Sequence, residues 1–353
     1  VNGMELAGAY TSALTTFAGL GAALILERSG ARRVRLGWTN TTSPRLKLTA
    51  EGEDDATIAA MIQQHAKDRA MHASWLHADL EGDPWAGANA VFSPRIKSAA
   101  AKSGKGAPTP SSAEIAARWQ TLQKARYEGI DQELASPGHD ADLELIGALG
   151  EPAYWRIASN GPRPDEGASR WEMKTRNRGE DFVGNRLRGL ARIVAKREPA
   201  TVLGGLTGRT LVDEAYAKNR SDESRTATGL TVPRFTDSAL AWCGLWGIAS
   251  FPVIHRFDRP SVTAGAFPVG RFMPAKLVLP VLTGAYSLGR WRATLLSEQL
   301  ARCAEAGVGE ETTARAWLVS HGAEALIAFQ VNVSDNPNAP ERYLGEGTAM
   351  PLR

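Results

Sequence analysis

Three observations predict an α+β fold. A capped helical stretch near the start is followed at once by two alternating runs around a short polar turn, the pattern of a helix leading into a β-hairpin. Further helical stretches follow, from Asp54 to about His77 and from Ser112 to about Leu134. The second half combines a nearly all-apolar helix, residues 238–251, with a strong late strand, residues 325–333. An N-terminal α+β domain over 1–160 and a C-terminal one over 161–353, opened by a basic helix, are expected on this pattern.

Each element has its own signal. Ser12–Glu27 (SALTTFAGLGAALILE) sets Leu14, Phe17, Leu20, Leu24 and Ile25 on one side, with Thr11 or Ser12 as cap. Gly19-Leu20-Gly21 imitates part of a dinucleotide fingerprint. No strand precedes it and no third glycine follows, so close helix packing is the better account. RRVRLGW and PRLKLTA, separated by Thr39–Ser43, alternate polar with apolar as hairpin strands do. Asp54 to about His77 is helical, entered through an acidic turn. Residues 97–112 (KSAAAKSGKGAPTPSS) have the composition of a mobile loop, and Lys218–Gly229 is a second such run. Ser112 is expected to cap a helix to about Leu134. Asp237 or Ser238 caps the apolar helix SALAWCGLWGIASF, which Pro252 stops. Short irregular strands over 253–296 overlap a helix from about Leu288 to Ala306. Another helix near Thr312–His321, the strand Ala325–Val333 and a twenty-residue tail complete the chain.

Composition narrows the class. Of 353 residues, 43% are hydrophobic and 22% charged, a globular balance. No uncharged apolar run reaches the length of a membrane span, and the opening VNGMELAGAYTS lacks the pattern of a signal peptide. Cys243 and Cys303 fall in apolar helical stretches. Buried thiols in a reducing cytoplasm are therefore expected rather than a disulfide. A pI near 8.9 suits a nucleic-acid partner.

Charge is concentrated in Arg170–Arg197. Nine Lys or Arg stand there against three Glu or Asp, a local +6 in a chain whose total is +3. Val183, Leu187, Leu190 and Val194 make one apolar stripe at helical spacing. Arg188, Arg192 and Lys196 make a row opposite it, about 12 Å long at 1.5 Å per residue. Such a row could meet about three phosphates of one strand. A solvated surface helix gives the same pattern, but like charges four apart repel by a few tenths of a kcal/mol per pair, which an acidic partner would remove.

Catalytic motifs are poorly represented. His65, His72 and His77 share a helix without the H-E-x-x-H spacing of a zinc site. His139-Asp140 is an HD pair with no further histidines or aspartates placed to complete a metal set, so it reads as a turn. Gly204-Gly205-Leu206-Thr207-Gly208-Arg209-Thr210 lacks the P-loop spacing and its lysine. One pattern competes: Pro164-Asp165 followed by Glu172-x-Lys174 has the letters of the PD-(D/E)xK nucleases, in which two acids hold a divalent metal and a lysine steadies the attacking water. The stretch between the two acids reads as one loop, whereas that motif wants two adjacent strands. No catalytic residue, metal ligand or cofactor is assigned from the sequence.

Two windows carry a family resemblance. Leu6-Ala7-Gly8 through Leu14, Phe17 and Leu20-Gly21, then RLGW and PRLKL, resembles the start of large-subunit proteins of type I CRISPR surveillance (Cascade) complexes, subtype U or G. Asp237–Val253 (DSALAWCGLWGIASFPV) is similar to a stretch in proteins of the same loci. The resemblance implies an antiviral ribonucleoprotein subunit that sits near the 5′ handle of the guide RNA. Such a subunit reads the short motif flanking the DNA target, stabilises the R-loop and recruits a helicase-nuclease, with no bond-breaking of its own. Its partners would be guide RNA, target DNA and other Cascade subunits, in the cytoplasm and with no membrane.

On this reading Lys174, Arg176, Arg178, Arg186, Arg188, Arg192 and Lys196 face phosphate, joined by Lys102 and Lys105 from the loop, while Asn177 and Asn185 reach base edges. The alternatives are a metal-dependent nuclease using Asp165, Glu172 and Lys174, or a structural subunit that binds only protein through its tryptophans.

Overall fold

The computed structural model describes residues 3–80, 90–95, 106, 108–136, 138–154, 164–173, 182–214, 227–334 and 341–353. The fold is α+β, with an N-terminal helix and hairpin, further helices, and a mixed C-terminal region of helices and sheets. β1 (Met4–Glu5) precedes α1 (Ala13–Arg28), and the hairpin follows as β2 (Arg35–Trp38) and β3 (Leu46–Thr49). The three strands pair antiparallel in the order β1-β3-β2, with Leu36 opposite Leu48 and Trp38 opposite Leu46.

α1 is the centre of the molecule. Every residue from Ala13 to Leu26 is buried, so the one-sided stripe expected from sequence is in fact a helix covered all round. Small residues let neighbours close in. A Cβ on Gly21 would lie 1.9 Å from the carbonyl oxygen of Cys243. That residue is on α7 (Ser238–Trp246), and the close helix packing read from Gly19-Leu20-Gly21 is this crossing. α7 continues as a 3-10 turn, Gly247–Ser250, and both are buried throughout. Asp237 caps α7 by accepting from the Ala239 N–H at 2.8 Å.

α2 (Asp55–Ala70) is capped by Asp54, which accepts from the Thr57 N–H at 2.7 Å. It ends seven residues earlier than expected, and the chain turns before a short 3-10 segment, Trp75–His77. α3 (Ser112–Ala135) begins on a reciprocal capping box between Ser111 and Glu114, one residue before the expected cap. α4 (Asp140–Leu149) follows after a tight turn. The basic helix starts as π-helix, Phe182–Leu187, and continues as α5 (Arg188–Ala195). Its apolar stripe, Val183, Leu187, Leu190 and Val194, is buried as predicted. α6 (Pro199–Thr207) carries the glycine run. A Cβ on Gly205 would lie 2.0 Å from Asp237 Oδ1, so that glycine serves packing.

In the C-terminal half β4 (Val253–Ile254) pairs with β5 (Val262–Thr263) as a small hairpin. β6 (Ala266–Phe267), β7 (Lys276–Leu282), β8 (Ala323–Val333) and β9 (Arg342–Pro351) form an antiparallel sheet in that order. β9 corrects the expected tail: its Gly, Glu and Thr content hides an edge strand whose register against β8 runs from Ala325–Pro351 to Val333–Arg342. The helix expected from Leu288 to Ala306 is two, α8 (Leu288–Leu295) and α9 (Glu298–Ala306), because Ser297 caps the second by accepting from the Leu300 N–H at 3.1 Å. α10 (Thr312–Ser320) leads into β8. One apolar cluster, with Leu14, Ile62, Leu190, Trp242 and Leu326 among its members, draws on both halves of the sequence. Both cysteines are free and buried.

Candidate functional site

The corner between α3 and α4 gathers the most chemistry. Glu133 sits in the last turn of α3, and Ser136 ends that helix. Gly138, at φ +83°, turns the chain through the left-handed region. His139 then holds the N-cap position of α4, and Asp142 lies in its first turn. A carboxylate there suits the positive end of the helix dipole. His139 Nδ1 contacts Glu133 Oε2 directly and lies 3.8 Å from Asp142 Oδ2. Among the described residues, one ligand atom from each of Glu133, His139 and Asp142 falls within 4.8 Å of the others. Glu133 and Asp142 are buried and the imidazole is part-exposed, so the set is open on one side.

Asp142 is already oriented by its neighbours. Its Oδ1 accepts from Trp75 Nε1 at 2.7 Å and from Arg69 Nε at 3.1 Å, and its Oδ2 accepts from Arg69 Nη2 at 2.5 Å. The Arg69 guanidinium lies 5.7 Å from the Trp246 ring centre. A cavity of about 540 Å³ opens beside the corner, lined by His65, Arg69, Trp75, His139 and Asp142. His65 rests edge-on against Trp246 with ring centres 4.3 Å apart, and neither of its ring nitrogens has a hydrogen-bond partner among the described residues. Burial, reinforced by the nearby Arg69 charge, holds that imidazole well below its ordinary pKa and therefore neutral.

An imidazole with two carboxylates is a donor set for a first-row dication such as Zn²⁺ or Mn²⁺. Bound there, a metal would supply a Lewis acid and a more acidic water. This corner corrects the expectation of a chain without a metal site or catalytic capacity. The HD pair is not a plain turn: its histidine joins Glu133 and Asp142, although its own Asp140 points to Arg28 at 3.8 Å. Glu133 and Asp142 escaped sequence reasoning because the set straddles two helices. The legible signal was His139-x-x-Asp142, one helical turn of spacing.

The nuclease pattern falls out differently. Asp165 lies in a 3-10 segment, Pro164–Gly167, and Glu172 in an irregular loop. Both face Arg95, whose Nη1 is 3.7 Å from Asp165 Oδ1 and whose Nε pairs directly with a Glu172 carboxylate wholly shut off from solvent. Burial raises the Glu172 pKa while Arg95 and Arg342 oppose that rise. A guanidinium occupies the place between the acids that the motif would give to metal. Lys174 lies outside the described residues.

The basic residues are dispersed. Arg186 is buried, with Nη1 reaching the Met173 carbonyl at 3.5 Å and Nη2 lying 3.9 Å from Glu341, so its expected role on phosphate is corrected to a structural one. Arg188 is half-buried and bound to Asp79 and to the Leu76 carbonyl. Arg192, Lys196 and Asn185 are exposed. Lys102, Lys105, Arg176, Asn177 and Arg178 lie outside the described residues. Among the described residues no helix is long and apolar enough to cross a membrane. No protein-family model matches this chain, and no curated protein or solved structure matches it.

Proposed function

We propose that this chain is a DNA-contacting subunit of a type I CRISPR surveillance complex of the U/G-like kind, acting in the cytoplasm with guide RNA, target DNA, other Cascade subunits and a helicase-nuclease. The two sequence windows motivate the family. The observation that supports a nucleic-acid role is the pair Arg192 and Lys196, exposed four residues apart on a helix whose opposite stripe is locked in the core. Their affinity would come from phosphate neutralisation and be blind to sequence. The test is reconstitution. Co-expressed with a guide RNA and the other subunits encoded beside it, the chain should co-purify with them and cross-link to DNA flanking a matched target. A complex that assembles and binds target equally well without the chain overturns the reading.

The Glu133, His139 and Asp142 set favours a second reading, metal-assisted hydrolysis of phosphodiesters, and it stands on geometry alone. In that reading Asp142, oriented by Arg69 and Trp75, and Glu133 would hold the ion, with His139 as the third ligand at the open side. Cleavage of DNA or RNA with Mn²⁺ that is lost on His139→Ala would promote it. Cleavage that survives the substitution, or none with any dication, removes it.

A further inference from the structure

The β4–β5 hairpin carries a surface that neither reading uses. Its loop reads His255-Arg256-Phe257-Asp258-Arg259, and Phe257 at the tip is 80% exposed, the highest value among the exposed large apolar side chains. Ile254, on the same hairpin, is 62% exposed. The neighbouring turn adds exposed Val269 and Met273. A Cβ on Gly270 would lie 3.2 Å from an Arg256 guanidinium nitrogen, so Arg256 spans from the hairpin to that turn. Arg271 is exposed beside it. Ile254 and Phe257 on the hairpin, with Val269 and Met273 on the turn that Arg256 reaches, leave more exposed apolar side chain here than the single scattered residues that need no account.

The hairpin is held firmly at its base. Ser261 donates its N–H to the Glu166 carbonyl at 2.8 Å, and buried Arg170 gives Nη2 to the Ser261 carbonyl at 3.1 Å. The Thr263 hydroxyl accepts from the Arg170 N–H at 3.1 Å, and Trp171 Nε1 donates to the Ala264 carbonyl at 2.8 Å. An exposed aromatic is thus presented on a fixed stalk, with little ordering left to cost on binding.

We propose that Phe257 is a stacking platform for an unpaired base of single-stranded nucleic acid, with Arg256 and Arg271 on the adjoining phosphates. Charge decides for nucleic acid over protein. Arg259 is paired to Asp258 at 3.1 Å, and Glu305 at the edge accepts the Val269 N–H at 3.0 Å. Three arginines still outnumber the two carboxylates, so the patch keeps the positive sign that a phosphate backbone complements. An aromatic ring among arginines is the arrangement that holds single strands, the ring taking the base face and the cations the backbone. The partner class rests on the nucleic-acid reading given above. The residues are different, so the two fail separately.

The experiment is fluorescence titration of a single-stranded DNA 12-mer carrying one 2-aminopurine, with the full chain. Phe257→Ala should weaken binding about ten-fold, leave the salt dependence unchanged and remove the quenching that stacking produces. Phe257→Trp should restore both. Arg256→Gln with Arg271→Gln should instead lower the salt slope. An abasic strand should bind wild type as weakly as the intact strand binds Phe257→Ala. Equal affinity and quenching in wild type and Phe257→Ala overturn the proposal and leave the tip to a protein partner. If Arg192→Gln with Lys196→Gln fails to alter duplex binding while Phe257→Ala still weakens the single strand, the earlier reading of the basic helix fails and this one stands.

Discussion

Arg188 grips both carboxylate oxygens of Asp79, Nη2 to Oδ1 at 2.7 Å and Nη1 to Oδ2 at 3.2 Å, while its Nε donates to the Leu76 carbonyl at 2.8 Å. The first member of the basic row is therefore spent inside the protein. A bidentate guanidinium fork of this kind fixes α5 against the segment after α2 and relieves one of the like-charge contacts along the row.

The salt dependence of DNA binding follows from that pairing. On the proposed nucleic-acid reading, exposed Arg192 and Lys196 are the members of the row left to meet phosphate, so changing both to Gln should lower the slope of log affinity against log salt by about 1.8 on duplex DNA. Adding Arg188→Gln should not lower the slope further. It should instead cost stability, because Asp79 and the Leu76 carbonyl lose their donor. A drop close to three units in the triple variant, with unchanged stability, would return Arg188 to the phosphate face.

Glu172→Ala separates the nuclease motif from a structural ion pair. Deletion of the carboxylate leaves buried Arg95 with Asp165, at 3.7 Å, as its remaining acidic partner among the described residues, beside its hydrogen bond to the Ser169 carbonyl at 3.3 Å. Breaking such a pair costs about 3–5 kcal/mol. Urea unfolding should show that loss, and any metal-dependent cleavage by the folded fraction should persist. A variant as stable as wild type but catalytically dead would reverse the assignment.

Local pattern made the early elements legible and tertiary partners made the rest illegible. The acidic entry of α2, the β2–β3 hairpin and the stripe through Leu190 are set by nearest neighbours, so sequence spacing finds them. β9 was missed because an edge strand with one covered face needs few apolar residues: Leu344 is buried while Glu346, Thr348 and Ala349 are exposed. Arg186 was misread because a guanidinium buried against Met173 and Glu341 has the same letter as one in water. Glu133 needs α3 and α4 to meet before it becomes a neighbour of His139.

The metal set predicts a thermal shift. Zn²⁺ or Mn²⁺ held by Glu133, His139 and Asp142 would stabilise the folded chain by about 2.7 kcal/mol at a hundred-fold excess over Kd. His139→Ala should abolish that gain with little loss of intrinsic stability, since the ring is part-exposed. Asp142→Asn should abolish it too, but at a cost, because Arg69 loses a buried counter-charge. An identical metal-induced shift in His139→Ala would place the ion elsewhere.

His65 makes the stability pH-dependent. In the unfolded chain its imidazole titrates near 6.5. In the fold, burial and Arg69 hold its pKa well below that value. Below pH 6.5 the unfolded chain then binds a proton that the folded chain refuses, so this residue's effect is loss of stability as pH falls and none above about 7.5. The limit is one proton, about 1.4 kcal/mol per pH unit, until the folded pKa is reached. His77 and His255 are shifted the same way by burial, so the wild-type slope alone does not isolate His65. The difference from His65→Leu does, because the other histidines are common to both chains. Urea unfolding at pH 7.5, 6.5 and 5.5 should show wild type losing stability faster than the variant across the lower interval, by up to the one-proton limit. Parallel pH profiles would mean that the ring takes up its proton inside the fold, through water entering the cavity shared with His139 and Asp142.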